Sequence, residues 1–187
     1  MTKYVDEHIY HVYNRGAHKA RIFFQNDDYR RLIRLFEKYS VRYNIAIVAY
    51  CLMPNHYHLV VRQKIDGSTS DFLRTTFNAF TQAINLLRNH SGTLFQGSAK
   101  GILVDTDIYA MQLIRYVHLN PVLAKLVDSP EKWECSDYRD WIGLRKDALF
   151  DPQLRAAFFA NGEEYKSFVE RYNSERDERT ISRFLSD

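Results

Sequence analysis

Cysteine is scarce in this sequence, and long apolar runs are missing. The 187 residues contain only Cys51 and Cys135, which cannot form a disulfide framework and which fit a reducing compartment. The longest apolar run, residues 45–53, is far shorter than the roughly 20 residues of a membrane-spanning helix. The first residues lack the apolar segment of a signal peptide. We therefore expect a cytoplasmic protein that makes no membrane contact.

The sequence also has little net charge and no nucleotide-binding loop. The net charge is +3, which is compatible with a polyanionic partner but does not require one. No G-x-x-x-x-G-K-[ST] motif occurs, which argues against a phosphate-binding loop of the NTPase type. Apolar and aromatic residues are plentiful at 45% and 14%. These fractions are enough for one folded domain with a substantial core.

The hydrophobic pattern of the chain alternates between strand and helix periodicity. It predicts strands over residues 9–13, 45–52, 56–61 and 100–104, and helices over about residues 28–44, 71–87 and 107–119. Thr106 or Asp105 caps the third helix, and Pro121 is expected to stop it, because the residue before a proline disfavours the helical conformation. The order β-α-β-β-α-β predicts an α+β fold, a ferredoxin-like split β-α-β antiparallel sheet with helices on one face.

Further helices are predicted after this domain. We assign residues 1–144 to the ferredoxin-like domain and residues 145–187 to a C-terminal helical extension. Tyr165, Phe168, Val169 and Tyr172 recur at helical spacing and form an apolar stripe, so we expect the extension to dock on the core. Residues 174–187 are charged and weakly periodic, which predicts a loosely ordered tail.

Two histidines on the third predicted strand are candidate metal ligands. His56 and His58 are two residues apart, so they share one face of a strand at a separation of about 6.5 Å, and their imidazoles can converge on one ion. Tyr57 lies between them and faces the other way. At this histidine content, chance supplies such a pair in about one sequence in four. The pair alone is therefore weak support for a metal site.

A tyrosine and an asparagine on the third helix form a second candidate group. Tyr116 and Asn120 are four residues apart and lie on one helical face, whereas His118 is rotated away. The alternative is structural. Tyr116 then continues an apolar stripe with Tyr109 and Leu113, and Asn120 ends the helix.

Five ordered motifs carry a resemblance to a known family. They are YHVYNRG at 10–16, MPNHYHLV at 53–60, LFQG at 94–97, ILVD at 102–105 and RYVHLNP at 115–121. Together they resemble the HUH single-tyrosine transposases of bacterial insertion sequences, and in particular the REP-associated tyrosine transposases. The segment WECSDYRDWIG at 133–143 resembles the next segment of the proteins in that branch. The similarity therefore covers about residues 8–144.

The resemblance implies a metal-dependent single-stranded DNA endonuclease and strand transferase. By position, His56 and His58 match the metal-binding histidines, Asn120 matches the third metal ligand, and Tyr116 matches the nucleophile that forms a covalent 5′-phosphotyrosine. The implied cofactor is Mg²⁺ or Mn²⁺, although two imidazoles and an amide are ligands that zinc also accepts. The implied partner is single-stranded or hairpin DNA. Relatives act as homodimers or as monomers, and a homodimer is one expectation here.

DNA contacts are predicted from residues that should border this site. Asn14 and Arg15 follow the first predicted strand, Arg62 follows the third, and Lys100 begins the fourth. All four are therefore candidate phosphate contacts. The alternative for each is a solvated surface side chain. The family often has basic and aromatic residues after the LFQG motif, whereas this chain has Ser98-Ala99. That difference bears on DNA affinity and target choice.

Two other functions are compatible with the sequence. One is a domesticated protein that binds hairpin DNA without cleaving it. The other is a small structural metalloprotein that uses His56 and His58 as ligands, with or without His118. A protein-DNA adduct separates the enzyme from the first alternative, and loss of stability on chelation marks the second.

Overall fold

A computed structural model of the protein describes residues 2–172. Four strands form one antiparallel sheet in the order β2-β3-β1-β4. The strands are β1 (Ile9–Arg15), β2 (Ile45–Met53), β3 (His56–Gln63) and β4 (Lys100–Val104). Helices α1 (Asn26–Arg42) and α2 (Thr69–Leu87) connect them in the order β-α-β-β-α-β. The predicted ferredoxin-like α+β fold is confirmed.

The helices α1 and α2 pack together on one face of the sheet. Leu32 and Phe36 of α1 and Phe72 of α2 are fully buried there, in one cluster with Val12 of β1 and Leu59 of β3. Removal of this apolar surface from water is the main source of stability for such a layer. This is the face on which the sequence places the two helices of the split β-α-β motif.

The opposite face is covered by α3 (Asp107–Leu123) and by the short helices after it. These are α4 (Tyr138–Trp141), α5 (Pro152–Ala156) and α6 (Gly162–Glu170). Leu113 and Val117 of α3 pack with Val60 of β3 and Trp141 in a second buried cluster. Helices therefore lie on both faces once α3 and its successors are included, and all residues of β2 are buried.

Helix α3 runs past the predicted stop at Pro121. It continues to Leu123, and Pro121 lies buried inside it. A proline inside a helix costs a backbone hydrogen bond and crowds the preceding turn. Here Val117 and Leu119 beside it are buried as well, so tertiary packing outweighs the local preference. Asn120 is consequently held inside a regular helix and does not end it.

The segment after residue 144 packs on the second cluster. Leu154, Phe159, Tyr165 and Val169 are buried there. A domain division at residue 144 stays a prediction, and the tail predicted for residues 174–187 lies outside the described residues. Within residues 2–172, no helix is both long enough and apolar enough to cross a membrane.

Candidate active site

The two histidines of β3 face α3, and the tyrosine between them faces away. His58 is buried, and its ring lies edge-on to that of His56 at a centroid distance of 5.2 Å. Tyr57 points into the α1/α2 layer, where its ring stacks on Phe77 at 4.4 Å. Burial there raises the pKa of Tyr57 well above its ordinary value. Its hydroxyl therefore stays protonated and enclosed, which is unsuitable for a nucleophile.

Helix α3 brings Tyr116 and Asn120 to the same place. Thr106 caps the helix by accepting a hydrogen bond from the Tyr109 N–H at 3.2 Å. The Tyr116 ring meets the His58 ring edge-on at a centroid distance of 5.6 Å. The Asn120 Oδ1 atom lies 3.5 Å from the Nε2 atom of His56. The fold thus assembles, within one chain, all four residues that the sequence proposes for the chemistry.

The hydrogen on His56 is fixed by its sequence neighbour. The His56 Nδ1 atom lies 2.8 Å from Asn55 Oδ1, and because an amide oxygen only accepts, Nδ1 carries the hydrogen. The neutral ring then has its lone pair on Nε2, which faces the Asn120 oxygen. Two electron-rich atoms turned toward each other are an arrangement that a cation stabilises.

The ring of His58 also offers a nitrogen atom, Nε2, that could bind a cation. Its side chain is buried, and its Nε2 atom has no hydrogen-bond partner, as is also true of Asn120 Nδ2. Burial, helped by His11 and His56, lowers the pKa of His58 well below its ordinary value. Burial likewise lowers the pKa of His11 to about 3. Both imidazoles are therefore neutral at physiological pH, and the neutral ring is the form that binds a metal.

The donor set would fit a divalent cation whose remaining ligands come from outside the chain. His56 Nε2, His58 Nε2 and the Asn120 side chain supply at most three ligands. Among residues 2–172, no group of three or more His, Cys, Asp or Glu side chains could hold a metal, so a closed structural zinc site is absent from that part of the chain. The remaining positions would be filled by oxygen atoms of phosphate and water, which Mg²⁺ and Mn²⁺ prefer.

A polar pocket beside the histidines contains three of the predicted DNA-contact residues. Asn14, Arg15 and Lys100 line it together with Tyr13, Tyr57, Gln96 and the two histidines. Arg15 Nε donates to Gln96 Oε1 at 2.6 Å, and Asn14 Nδ2 donates to the Gly97 carbonyl at 3.0 Å. The Lys100 ammonium lies 5.4 Å from the centre of the Tyr13 ring. The LFQG segment thus builds one wall of the pocket.

Arg62 does not border this pocket, contrary to the sequence-based expectation. It pairs with Ile9 at the start of β1, whereas His56 pairs with Arg15 at the end of that strand. Six residues of β-strand separate Arg62 from His56, which is about 20 Å. The expectation followed from the closeness of Arg62 to His58 in the sequence. The strand, however, runs away from the site and places Arg62 at its opposite end.

His118 faces away from the site and is fully bonded. Its Nε2 atom lies 2.8 Å from Asp137 Oδ1, and its Nδ1 atom bonds the hydroxyl of Tyr165. Asp137 also accepts from the Tyr50 N–H at 2.7 Å and from the Trp141 ring N–H at 3.2 Å. Both nitrogens of His118 are thereby in use. The alternative in which His118 joins His56 and His58 as a metal ligand is wrong.

Arg115 lies on the same side of α3 as His118 and holds that side against the segment after residue 144. Its guanidinium donates to the Phe168 carbonyl at 3.2 Å and lies 4.3 Å from the centre of the Phe168 ring. It also bonds Gln112 one turn earlier. Arg115 and His118 therefore fasten one side of the helix to the C-terminal extension, while Tyr116 and Asn120 on the other side face β3.

The chain belongs to the family described as "Transposase IS200 like". That family matches residues 4–118, more than half of the chain. The matched part contains His56, His58 and Tyr116, and it ends two residues before Asn120. No curated protein sequence matches the chain.

Three solved structures are similar to this chain to different degrees. A REP-associated tyrosine transposase bound to a REP hairpin is similar, with a TM-score of 0.66 and 16% identity over 82% of this chain and 91% of that chain. A putative transposase from Deinococcus radiodurans has a TM-score of 0.45 and 18% identity over 63% and 95% of the two chains. The tRNA(His) guanylyltransferase of Saccharomyces cerevisiae has a TM-score of 0.47 and 8% identity over 97% and 79%. The first of these likenesses supports the fold.

Sequence reasoning missed two residues of the site, Asn55 and His11. Asn55 fixes the hydrogen on His56, and the His11 Nε2 atom lies 2.9 Å from His58 Nδ1. Both occur in the ordered motifs of the family, but the motifs alone suggest no role for either. The order of a ferredoxin-like sheet places β1 beside β3, and alternation puts His11 on the same face as His58, so a signal for His11 was present.

Proposed function

We propose that this protein cuts and rejoins single-stranded DNA through a covalent bond to Tyr116. The observation that carries the proposal is the position of the Tyr116 ring, 5.6 Å from that of His58. His58 has an unpartnered Nε2 atom, and His56 and Asn120 lie beside it. A potential nucleophile and a set of ligands for a divalent cation are therefore neighbours. Membership of a transposase family agrees with this chemistry.

His56, His58 and Asn120 would hold the cofactor, Mg²⁺ or Mn²⁺. A divalent ion bound there would polarise the scissile phosphate and offset the charge that develops during transfer. The neutral state of His58 and the hydrogen held on His56 Nδ1 by Asn55 keep the Nε2 lone pairs of both rings available. A tyrosine hydroxyl ordinarily has a pKa of about 10 and is a weak nucleophile at neutral pH, so it needs this assistance.

Cleavage exchanges one phosphodiester for another. The Tyr116 hydroxyl oxygen attacks the phosphorus, the bond from phosphorus to the 3′-oxygen breaks, the phenol loses its proton, and the departing 3′-oxygen gains one. The products are a 5′-phosphotyrosine and a free 3′-hydroxyl. Because the new ester retains the energy of the old one, a 3′-hydroxyl can later attack it and restore DNA without a nucleotide cofactor.

The pocket beside the histidines supplies contacts for a DNA strand. Arg15 and Lys100, which line the pocket, are suited to phosphate. A flexible single strand can bend one phosphate into such a recess, whereas a rigid duplex cannot. We propose a hairpin-bearing substrate, in line with the REP hairpin bound to the similar transposase. Ser98-Ala99 lie in the chain between Gln96 and Lys100, which both line the pocket, so we expect them to affect target choice.

The geometry bears on whether a second copy of the chain is needed. Tyr116, His56, His58 and Asn120 meet within a single chain, so the proposed reaction needs no residue from a second copy. A homodimer is compatible with this arrangement but is not required by it. A cytoplasmic location stays a prediction.

A denaturation-resistant adduct tests the proposal. The protein is incubated with 5′- or 3′-labelled oligonucleotides that carry the imperfect palindromes flanking its gene, with Mn²⁺ or Mg²⁺, and resolved on a denaturing gel. We expect a metal-dependent adduct on the 5′ end of the downstream fragment. Tyr116→Phe should abolish it.

Tyr57→Phe is the matched control, because Tyr57 lies between the two histidines but faces the other layer, and it should leave the adduct intact. An adduct that persists in Tyr116→Phe contradicts the assignment of the nucleophile. Tight hairpin binding without any adduct, with every metal tried, would instead support the non-cleaving DNA-binding alternative.

A further inference from the structure

We infer that His11 is a positioning residue for His58, whose Nδ1 hydrogen it accepts so that the lone pair of His58 stays on Nε2. The inference rests on the proposed function, because it treats His58 as a metal ligand. The His11 Nε2 atom lies 2.9 Å from His58 Nδ1. Both side chains are buried, at 0% and 2% exposure, so water cannot replace this bond.

The pairing of β1 with β3 holds the His11 ring in place. In the register of the two strands Tyr13 lies opposite His58 and His11 lies opposite Val60. His11 therefore approaches His58 diagonally across the ladder, a distance that aromatic rings can span. The His11 ring is nearly parallel to that of His58, at 13°, and also stacks on Tyr13 at a centroid distance of 4.9 Å. Packing on both sides restricts rotation of the ring.

The role proposed for His58 decides which ring donates the shared hydrogen. Two neutral imidazoles share a single hydrogen in this bond. In either arrangement one buried ring nitrogen carries a hydrogen outside the pair, His58 Nε2 if His11 donates and His11 Nδ1 if His58 donates, so burial alone does not separate the two. Only when His58 donates does its Nε2 atom keep the lone pair that a metal needs.

His56 and His58 then both donate their Nδ1 hydrogen to a neighbouring acceptor, but the acceptor differs. Asn55 Oδ1 accepts from His56 Nδ1, and His11 Nε2 accepts from His58 Nδ1. Groups that orient metal-binding histidines in this way typically change metal affinity by about 10–100-fold when they are removed. Asn55 is adjacent to its histidine in sequence, whereas His11 comes from a neighbouring strand.

The tautomer of His58 in metal-free protein tests the inference directly. Protein labelled with ¹⁵N histidine is examined by long-range ¹H–¹⁵N correlation spectroscopy, with assignments from single His→Gln variants. We expect the His58 Nδ1 atom to be protonated and Nε2 to be unprotonated. A spectrum in which His58 carries its hydrogen on Nε2 would overturn the inference. This measurement needs neither DNA nor metal, so it gives an answer even if the proposed cleavage is absent.

Metal affinity provides the second readout. His11→Phe keeps a planar ring but removes the acceptor, whereas His11→Gln places an amide oxygen near the lost nitrogen. In Mn²⁺ titrations followed by electron paramagnetic resonance, we expect His11→Phe to weaken binding at least about 10-fold and His11→Gln to stay near wild type. Wild-type affinity in folded His11→Phe would contradict the role of His11. A wild-type protein that binds no Mn²⁺ would instead contradict the proposed metal site, and the tautomer would still decide on His11.

Discussion

His58 and His118 are both buried on the α3 side of the sheet, yet their surroundings are opposite. His118 uses both ring nitrogens, bonded to Asp137 and Tyr165, whereas His58 has an Nε2 atom with no partner. Most buried polar groups are paired, and an exception calls for an explanation. For His58 we propose a ligand supplied from outside the chain, whereas the completed bonds of His118 are those of a structural network.

Removal of Asp137 should have the largest effect and should break the His118 network. Asp137→Ala leaves the buried donors of Tyr50, His118 and Trp141 unpaired. We expect the free energy of unfolding to fall by about 3 kcal/mol, as measured by urea denaturation. Asp137→Asn keeps acceptor capacity and should lose less. An unfolding midpoint equal to wild type in Asp137→Ala would show that this network contributes little to stability.

Removal of the His56 side chain should have the reverse effect, a large loss of cleavage with little loss of stability. The His56 side chain is half-buried, and its bond to Asn55 is local. For His56→Ala we expect cleavage to fall by at least about 100-fold, while the free energy of unfolding changes by no more than about 0.5 kcal/mol. Single-turnover cleavage and urea denaturation measure the two quantities. A large loss of stability together with cleavage would erase the distinction between the two histidine environments.

The neutral state of His11 predicts a pH dependence of stability. Its pKa is about 3 in the folded protein against 6.5 for the ordinary group. Below pH 6.5 the unfolded chain therefore binds a proton that the folded one does not, so His11 contributes a loss of stability as pH falls from about 6.5 toward 3. The slope from one such group is at most about 1.4 kcal/mol per pH unit.

Denaturation curves with a chelator, from pH 7 to pH 4.5, test this dependence. His11→Gln cannot titrate in this range, so its stability should fall less steeply than that of wild type. Parallel curves for the two proteins would mean that His11 is not the group responsible.

The smallest of the expected effects is that of Lys100→Ala on DNA affinity. Lys100 lines the pocket of the histidines, whereas Arg62 lies at the far end of β3. Lys100→Ala should weaken hairpin binding and lower the slope of log affinity against log salt by about 1, measured by fluorescence anisotropy. Arg62→Ala is the matched control and should leave the slope unchanged. Equal effects of the two substitutions on the salt slope would mean that the DNA also contacts the far end of β3.

The sequence predicts the fold and the approximate composition of the site because both depend on local periodicity. Alternation on β3 separates Tyr57 from His56 and His58, and helical spacing groups Tyr116 with Asn120. The five ordered motifs then link these pieces to a family, and the family match over residues 4–118 agrees. The roles assigned to these residues remain predictions.

Long-range packing accounts for the features that the sequence did not supply. The sequence predicts that α3 ends at Pro121, but the packing of Pro121 and of the buried residues before it carries the helix through to Leu123. Arg62 was placed near the site by sequence distance, although strand direction takes it away. The partner of His58 comes from another strand, and identifying it requires the register of β1 against β3 as well as their adjacency.

The fastening of α3 has a consequence for the order of events in strand exchange. Arg115 and His118 join the helix to Phe168, Tyr165 and Asp137 on the side opposite Tyr116. In the proposed reaction the tyrosine that would hold the cut end thus lies on a helix that is bonded to the rest of the fold on its other side. If these bonds persist during the reaction, the incoming 3′-end would have to move to the phosphotyrosine, and the rate of rejoining would depend on how quickly the DNA rearranges in the pocket.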